Sequence, residues 1–120
     1  MEENTVKYKS YAFALRIIKA YKFLSFEQRE FVLSKQLLRS GTAIGALIRE
    51  AEHGESKADF IHKMTISLKE ANETEYWLML LHDSDFLEEK IFKSMLNDCQ
   101  ELIKMLISII KSSKENHKKQ

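Results

Sequence analysis

Proline is absent from this 120-residue chain, and glycine occurs only three times. Sandwiches and barrels of short strands need both residues at their many turns, so this scarcity excludes them. Long helices need neither residue, and they remain. The apolar share is 44% and the charged share 31%, enough for a packed core and too apolar for wholesale disorder. The length fits one domain spanning residues 1–120. With 19 basic and 18 acidic side chains the net charge is +1, which argues against a dedicated polyanion binder held by bulk charge. A lone cysteine, Cys99, precludes an internal disulfide and fits a reducing compartment. No apolar run reaches the roughly 18 residues needed to span a bilayer, and Met1-Glu2-Glu3-Asn4 does not read as a signal peptide. A cytoplasmic chain without membrane partners is the expectation.

Apolar residues recurring at helical spacing divide the chain into four segments. Phe13, Ile17, Ala20, Tyr21 and Leu24 share one arc of a first helix over about 10–24. Ser25 is placed to cap a second helix over 26–53, whose face carries Phe26, Leu33, Leu37, Ile44, Leu47, Ile48 and Ala51. Gly41 and Gly45 fall inside it; a break at Ser40-Gly41-Thr42 is the alternative to a continuous helix. Continuity is favoured because the apolar face keeps its phase across them, and two small residues one turn apart then let a neighbouring backbone approach closely. Ser56 and Asp59 resemble a capping box opening a third helix over 57–82, which buries Phe60, Met64, Leu68, Ala71, Leu78 and Leu81. Asp85 and Glu88 are placed to cap a fourth over 86–111, with a stripe of Phe92, Met95, Leu96, Cys99, Ile103, Leu106 and Ile110. The lysine-rich tail from Ser112 to Gln120 is expected to fray. Long helices with short joints predict an all-α, up-down-up-down antiparallel four-helix bundle.

Three stretches stand out together: Tyr21-Lys22 followed by Leu33 through Ala46, Ser56-Lys57-Ala58-Asp59-Phe60, and Leu68 through Leu78 with its Glu73-Thr74-Glu75-Tyr76-Trp77 core. In combination they resemble the bacterial four-helix-bundle family of proteins encoded in intervening sequences of 23S ribosomal RNA genes. The resemblance covers about Tyr11 to Lys111. It implies a small cytoplasmic bundle that assembles into homopentameric rings, without an established catalytic activity. It also implies a fold similar to the basic accessory protein of diversity-generating retroelements, which is thought to handle nucleic acid.

An antiparallel hairpin turning near Gly54 sets Arg39 beside Glu70 and Gln36 beside Glu73. A register-fixing polar network is the expected role, since partly buried pairs more often specify packing than perform chemistry. Glu50-x-x-His53 and Asp59-x-x-His62 flank the same turn and suggest metal ligands. His62, however, lies on the far side of the wheel from the core and Asp59 is claimed as a cap, so no metal site and no cofactor are expected. Cys99 within an apolar stripe behaves as a small hydrophobe, and no nucleophile elbow, Walker loop or dinucleotide fingerprint occurs. Neither an enzyme nor a small-molecule substrate is indicated.

Two partner surfaces are expected. Ile91, Leu102, Met105 and Ile109 widen the apolar arc of the fourth helix beyond one buried face, and Ile66, Trp77 and Leu80 do so more weakly on the third, as if a second copy covered them. Residues 102–120 carry five basic groups and one acid, and the first helix is basic as well. In a bundle this gathers Lys7 and Lys9 near Lys111, Lys114, Lys118 and Lys119, with Arg16 and Lys19 further along, a candidate RNA- or DNA-contacting set. Self-association is the leading expectation, and a nucleic-acid accessory module the alternative.

Overall fold

The computed structural model describes residues 2–118, which form four α-helices. These are α1 (Glu2–Lys22), α2 (Leu33–Glu52), α3 (Lys57–Asp83) and α4 (Glu89–Lys118). A π-helical turn, Phe23–Glu27, continues α1. Among the described residues α1 packs on α2 and α4, and α3 packs on the same two, so α1 and α3 lie across a diagonal. The result is an antiparallel four-helix bundle measuring 52 × 22 × 20 Å. Val6, Phe13, Ile17, Leu37, Ile44, Met64, Leu78 and Leu106 form its core.

Four element boundaries differ from the expected ones, each for a local reason. α1 starts at Glu2 rather than near Ser10, because Val6 and Ser10 extend the buried row of Phe13 and Ile17 backwards. Ser25 caps nothing: it is buried, and its hydroxyl donates to the Tyr21 carbonyl at 2.7 Å. α2 therefore starts at Leu33, not at Phe26, and Phe26 is 71% exposed. Arg29, at φ 56°, turns the chain between the two helices. α4 begins at Glu89 instead of 86, after Asp85 at φ 70° and after the Phe86 and Leu87 amides both bond the Leu81 carbonyl. Its far end stays helical to Lys118, where fraying from Ser112 was expected, since Ser113 is buried in the bundle.

α2 runs unbroken through both glycines. A Cβ on Gly41 would sit 2.7–2.9 Å from three side-chain carbons of Ile17, and one on Gly45 would sit 3.2 Å from Ser10 Oγ. Ile17 is β-branched and fully buried, so it has nowhere to withdraw. Gly41 is the point where α1 and α2 close on each other.

The α3 N-terminus is capped as expected: Ser56 Oγ accepts from the Asp59 amide at 3.1 Å. The return bond is shifted by one residue, with the Asp59 carboxylate accepting from the Glu55 amide at 3.2 Å. α2 is capped by a carboxylate no spacing argument had marked. Glu30 accepts from the amides of Val32, Leu33 and Ser34 at 3.3, 3.0 and 2.7 Å. Burial alone would raise its pKa, but the bonds from Leu33, Ser34 and Val32 outweigh that and hold it below the ordinary carboxylate value. A folded-state pKa below the unfolded one contributes stability above about pH 4.3, and the contribution is lost as pH falls through the folded value. Glu30→Ala should thus cost about 1 kcal/mol at pH 7. Urea melts should show wild type and variant converging as pH drops below about 4.

Candidate functional site

The most polar constellation of the bundle lies on the α2–α3 face. Arg39, one residue before the buried Ser40, projects from α2 toward two carboxylates on α3, three residues apart and so on one side of that helix. Its Nη1 donates to Glu70 at 3.1 Å, its Nη2 pairs with Glu73, and its Nε donates to Gln36 at 3.3 Å. Glu73 also accepts from the Trp77 indole at 2.9 Å. The four network residues thus meet around one guanidinium, though Gln36 joins Arg39 and not Glu73. The Arg39 side chain is 49% exposed, Glu70 21% and Glu73 37%, so these charges stay in water's reach. Such an arrangement can fix register or hold an anionic surface.

Beneath it the α2–α3 contact is lined by small polar groups. The Thr74 and Ser40 hydroxyls are hydrogen-bonded at 2.9 Å, and Ser67 donates to the Ile44 carbonyl at 2.9 Å. Further in, the Cys99 thiol donates to the Ala71 carbonyl at 3.3 Å. Burial, with smaller contributions from Glu75 and Asp98, pushes its pKa up to about 12, so it stays an un-ionised thiol at neutral pH. At the α2–α3 turn Glu50 pairs with Lys63 at 3.3 Å, Asp59 is occupied as a cap, and His62 is exposed. Among the described residues no three histidine, cysteine or acidic side chains are grouped to hold a metal ion.

The expected oligomer strip is partly wrong. Leu102 and Ile109 are 1% and 2% exposed and belong to the core of the single chain. α4 has two neighbours, and its buried face (Met95, Cys99, Leu102, Leu106, Ile109, Ile110) is turned about 40° toward α1 from the stripe the periodicity suggested. The wide apolar arc serves α3 and α1 together. Trp77 and Met105 are half-buried and pack against this core, and Ile66 and Leu80 are half-buried as well. Ile91 alone of the seven is exposed. What the wheel of the fourth helix concealed, α1 displays: Tyr8, Tyr11, Leu15 and Ile18 are exposed at three-four-three spacing, opposite the core row. Phe26, Phe31 and Val32 follow in the connection to α2, and Tyr76 and Met79 are exposed on α3. The spacing of 8, 11, 15 and 18 was visible in the sequence as a second apolar row on one helix.

The basic set divides in two. Lys7, Lys9 and Arg16 are engaged with Glu52, Glu101 and Asp98 at 3.1, 2.9 and 2.6 Å. These bonds also fix the antiparallel register of α1 on α2 and α4. Lys19, Lys111, Lys114 and Lys118 have no ion-pair partner among the described residues, and Lys119 lies outside them. Leu68, Ile107, Ile110, Lys111, Lys114, Glu115 and Lys118 line a cleft of about 410 Å³ along the end of α4.

Comparison with known proteins agrees with this architecture. The family described as 23S rRNA-intervening sequence protein matches residues 2–108. A crystal structure of a protein of unknown function from the S23 ribosomal protein family of Bacteroides thetaiotaomicron is 59% identical, with a TM-score of 0.91, over 92% of this chain and 99% of that one. No curated protein matches.

Because its guanidinium is half exposed, Arg39 should contribute as surface pairs do. Arg39→Ala is expected to cost less than about 1 kcal/mol in urea unfolding, and 1 M salt should shrink the loss. A loss above about 3 kcal/mol would mean that the network is desolvated after all.

Proposed function

The chain belongs to the 23S rRNA-intervening sequence protein family, and from that premise we propose that it is a non-enzymatic cytoplasmic bundle that assembles with itself into a closed ring. Five copies is the number that the family resemblance implies. The observation that carries the reading is the apolar row of α1: Tyr8 is 69% and Leu15 53% exposed, on a helix whose opposite side is already fully used by the core. A monomer would keep this row, Phe26 and Val32 in water, and contiguous apolar surface of that kind usually marks an interface. The non-enzymatic part of the reading takes up where several reactive groups are spent. Cys99 is a buried thiol, and the carboxylates near the α2–α3 turn are caps and ion-pair partners. Sedimentation velocity at micromolar concentration should give one species near five times the 14.1 kDa chain mass. A stable monodisperse monomer would sink the reading.

A second reading, contact with RNA or DNA, is favoured by one observation. Lys111, Lys114 and Lys118 recur at helical spacing on the last turns of α4 without ion-pair partners among the described residues. Three such lysines could each neutralise a phosphate. Binding of ribosomal RNA fragments over a salt series tests it. Affinity should fall with salt, and Lys111→Glu with Lys114→Glu should flatten that slope; a flat slope in the wild type would dismiss the reading.

A further inference from the structure

Exposed apolar side chains form rows on α1 and α3, which lie across a diagonal of the bundle; Ile91 and Ile107 on α4 are exposed as well. On α1, Tyr8, Tyr11, Leu15 and Ile18 form a row about 160° around the helix from Val6, Phe13 and Ile17. Lys22 continues that row, and the exposed Phe26 follows in the π-turn. Across the diagonal, on α3, Tyr76 and Met79 are exposed on the side away from the core, and Asp83 continues their row. α1 and α3 run in the same direction, since each is antiparallel to α2 between them. Ile18, Lys22 and Phe26 therefore stand at the same end of the bundle as Tyr76, Met79 and Asp83. Lys22 has no ion-pair partner among the described residues, and the Asp83 carboxylate, 72% exposed, is met only by His82 Nδ1 at 2.9 Å.

We infer that the occupant of each row is the other row on a second copy: the end of α1 and its π-turn in one chain seat on the end of α3 in the next, with Lys22 facing Asp83. This rests on the self-assembly reading and specifies its surfaces. Two different patches on opposite sides make the contact heterologous, the type that closes into a ring when successive copies are related by rotation. Ile18, Lys22 and Phe26 lie at the same end of the bundle as Tyr76, Met79 and Asp83, so copies set side by side meet there, while Tyr8 lies toward the other end, beside the Lys7–Glu52 pair. The opposite charges at corresponding positions set orientation and disfavour the alternatives. Pairing α1 with α1 would leave Tyr76 and Met79 uncovered.

Complementation between two crippled copies tests this. Leu15→Glu with Ile18→Glu blocks the α1 row and leaves the α3 row intact; Tyr76→Lys with Met79→Lys does the reverse. All four positions are exposed, so both variants should keep the helical circular dichroism of the wild type. Each alone should sediment as a monomer. Mixed in equal amounts they should form a 1:1 complex of twice the chain mass and nothing larger, since each retains one good face. If the α3-blocked variant assembles alone, the contact is α1 on α1 and the inference is wrong. If both variants alone still give the wild-type species, the faces lie elsewhere, again overturning it while self-assembly stands. A wild-type monomer in the same run would instead defeat the self-assembly reading itself.

Discussion

The hydroxyl-lined contact between α2 and α3 decides how close these helices come and in which register. Ser40 with Thr74, and Ser67 with the Ile44 carbonyl, are buried groups that must find one another, because an unmade buried hydrogen bond costs about 1–3 kcal/mol. A slip of one residue would break both at once. Leucines at these positions would fill more volume and release the constraint, since apolar contacts tolerate sliding that directional bonds do not. Nothing in the described side chains is left buried without a partner. With α2 and α3 fixed in this way, the Arg39 network follows from geometry: Arg39 adjoins Ser40 in sequence, as Glu73 adjoins Thr74, and Glu70 lies one turn back.

α1 and α4 are then laid against the hairpin under different rules. α1 closes on α2 through Ile17 against the bare backbone of Gly41, a contact of shape alone. α4 meets α3 and α1 with one broad apolar face, and between α1 and α4 the ion pairs Lys9–Glu101 and Arg16–Asp98 line the rim. Those exposed pairs add little to stability, yet they consume the cations that a phosphate-binding face on α1 would need.

Helical period and the scarcity of turn formers made the architecture legible, and the phase of Leu37, Ile44 and Ile48 through two glycines was sufficient to keep α2 whole. Arg39, Gln36, Glu70 and Glu73 were legible as one cluster because a hairpin has a fixed register once its turn is known. Ser25 misled because a serine after an apolar segment has the same local signature whether it caps the next helix or back-bonds to the previous one. Glu30 was missed for the converse reason: a carboxylate three residues ahead of a helix is common, and only the left-handed turn at Arg29 aims it at three amides. Leu102 and Ile109 were misassigned because a wheel gives the width of an apolar arc without saying how many neighbours share it.

That last ambiguity bears on how the molecule is used. In a bundle each helix has two neighbours, so an arc of about 200° on one helix can be consumed internally. A second row about 160° away from the first points away from both neighbours, although Arg49 of α2 lies over the Tyr11 ring at 5.6 Å. α4 has the first pattern and α1 the second. Tyr8, Tyr11, Leu15 and Ile18 therefore stay exposed in the single chain and are the side chains the proposed self-assembly would cover, whereas most of the wider stripe of α4 is already taken up within the bundle. Continuity of hydrophobic residues around a helix points to depth within the fold, and separation into two opposed rows points to a partner.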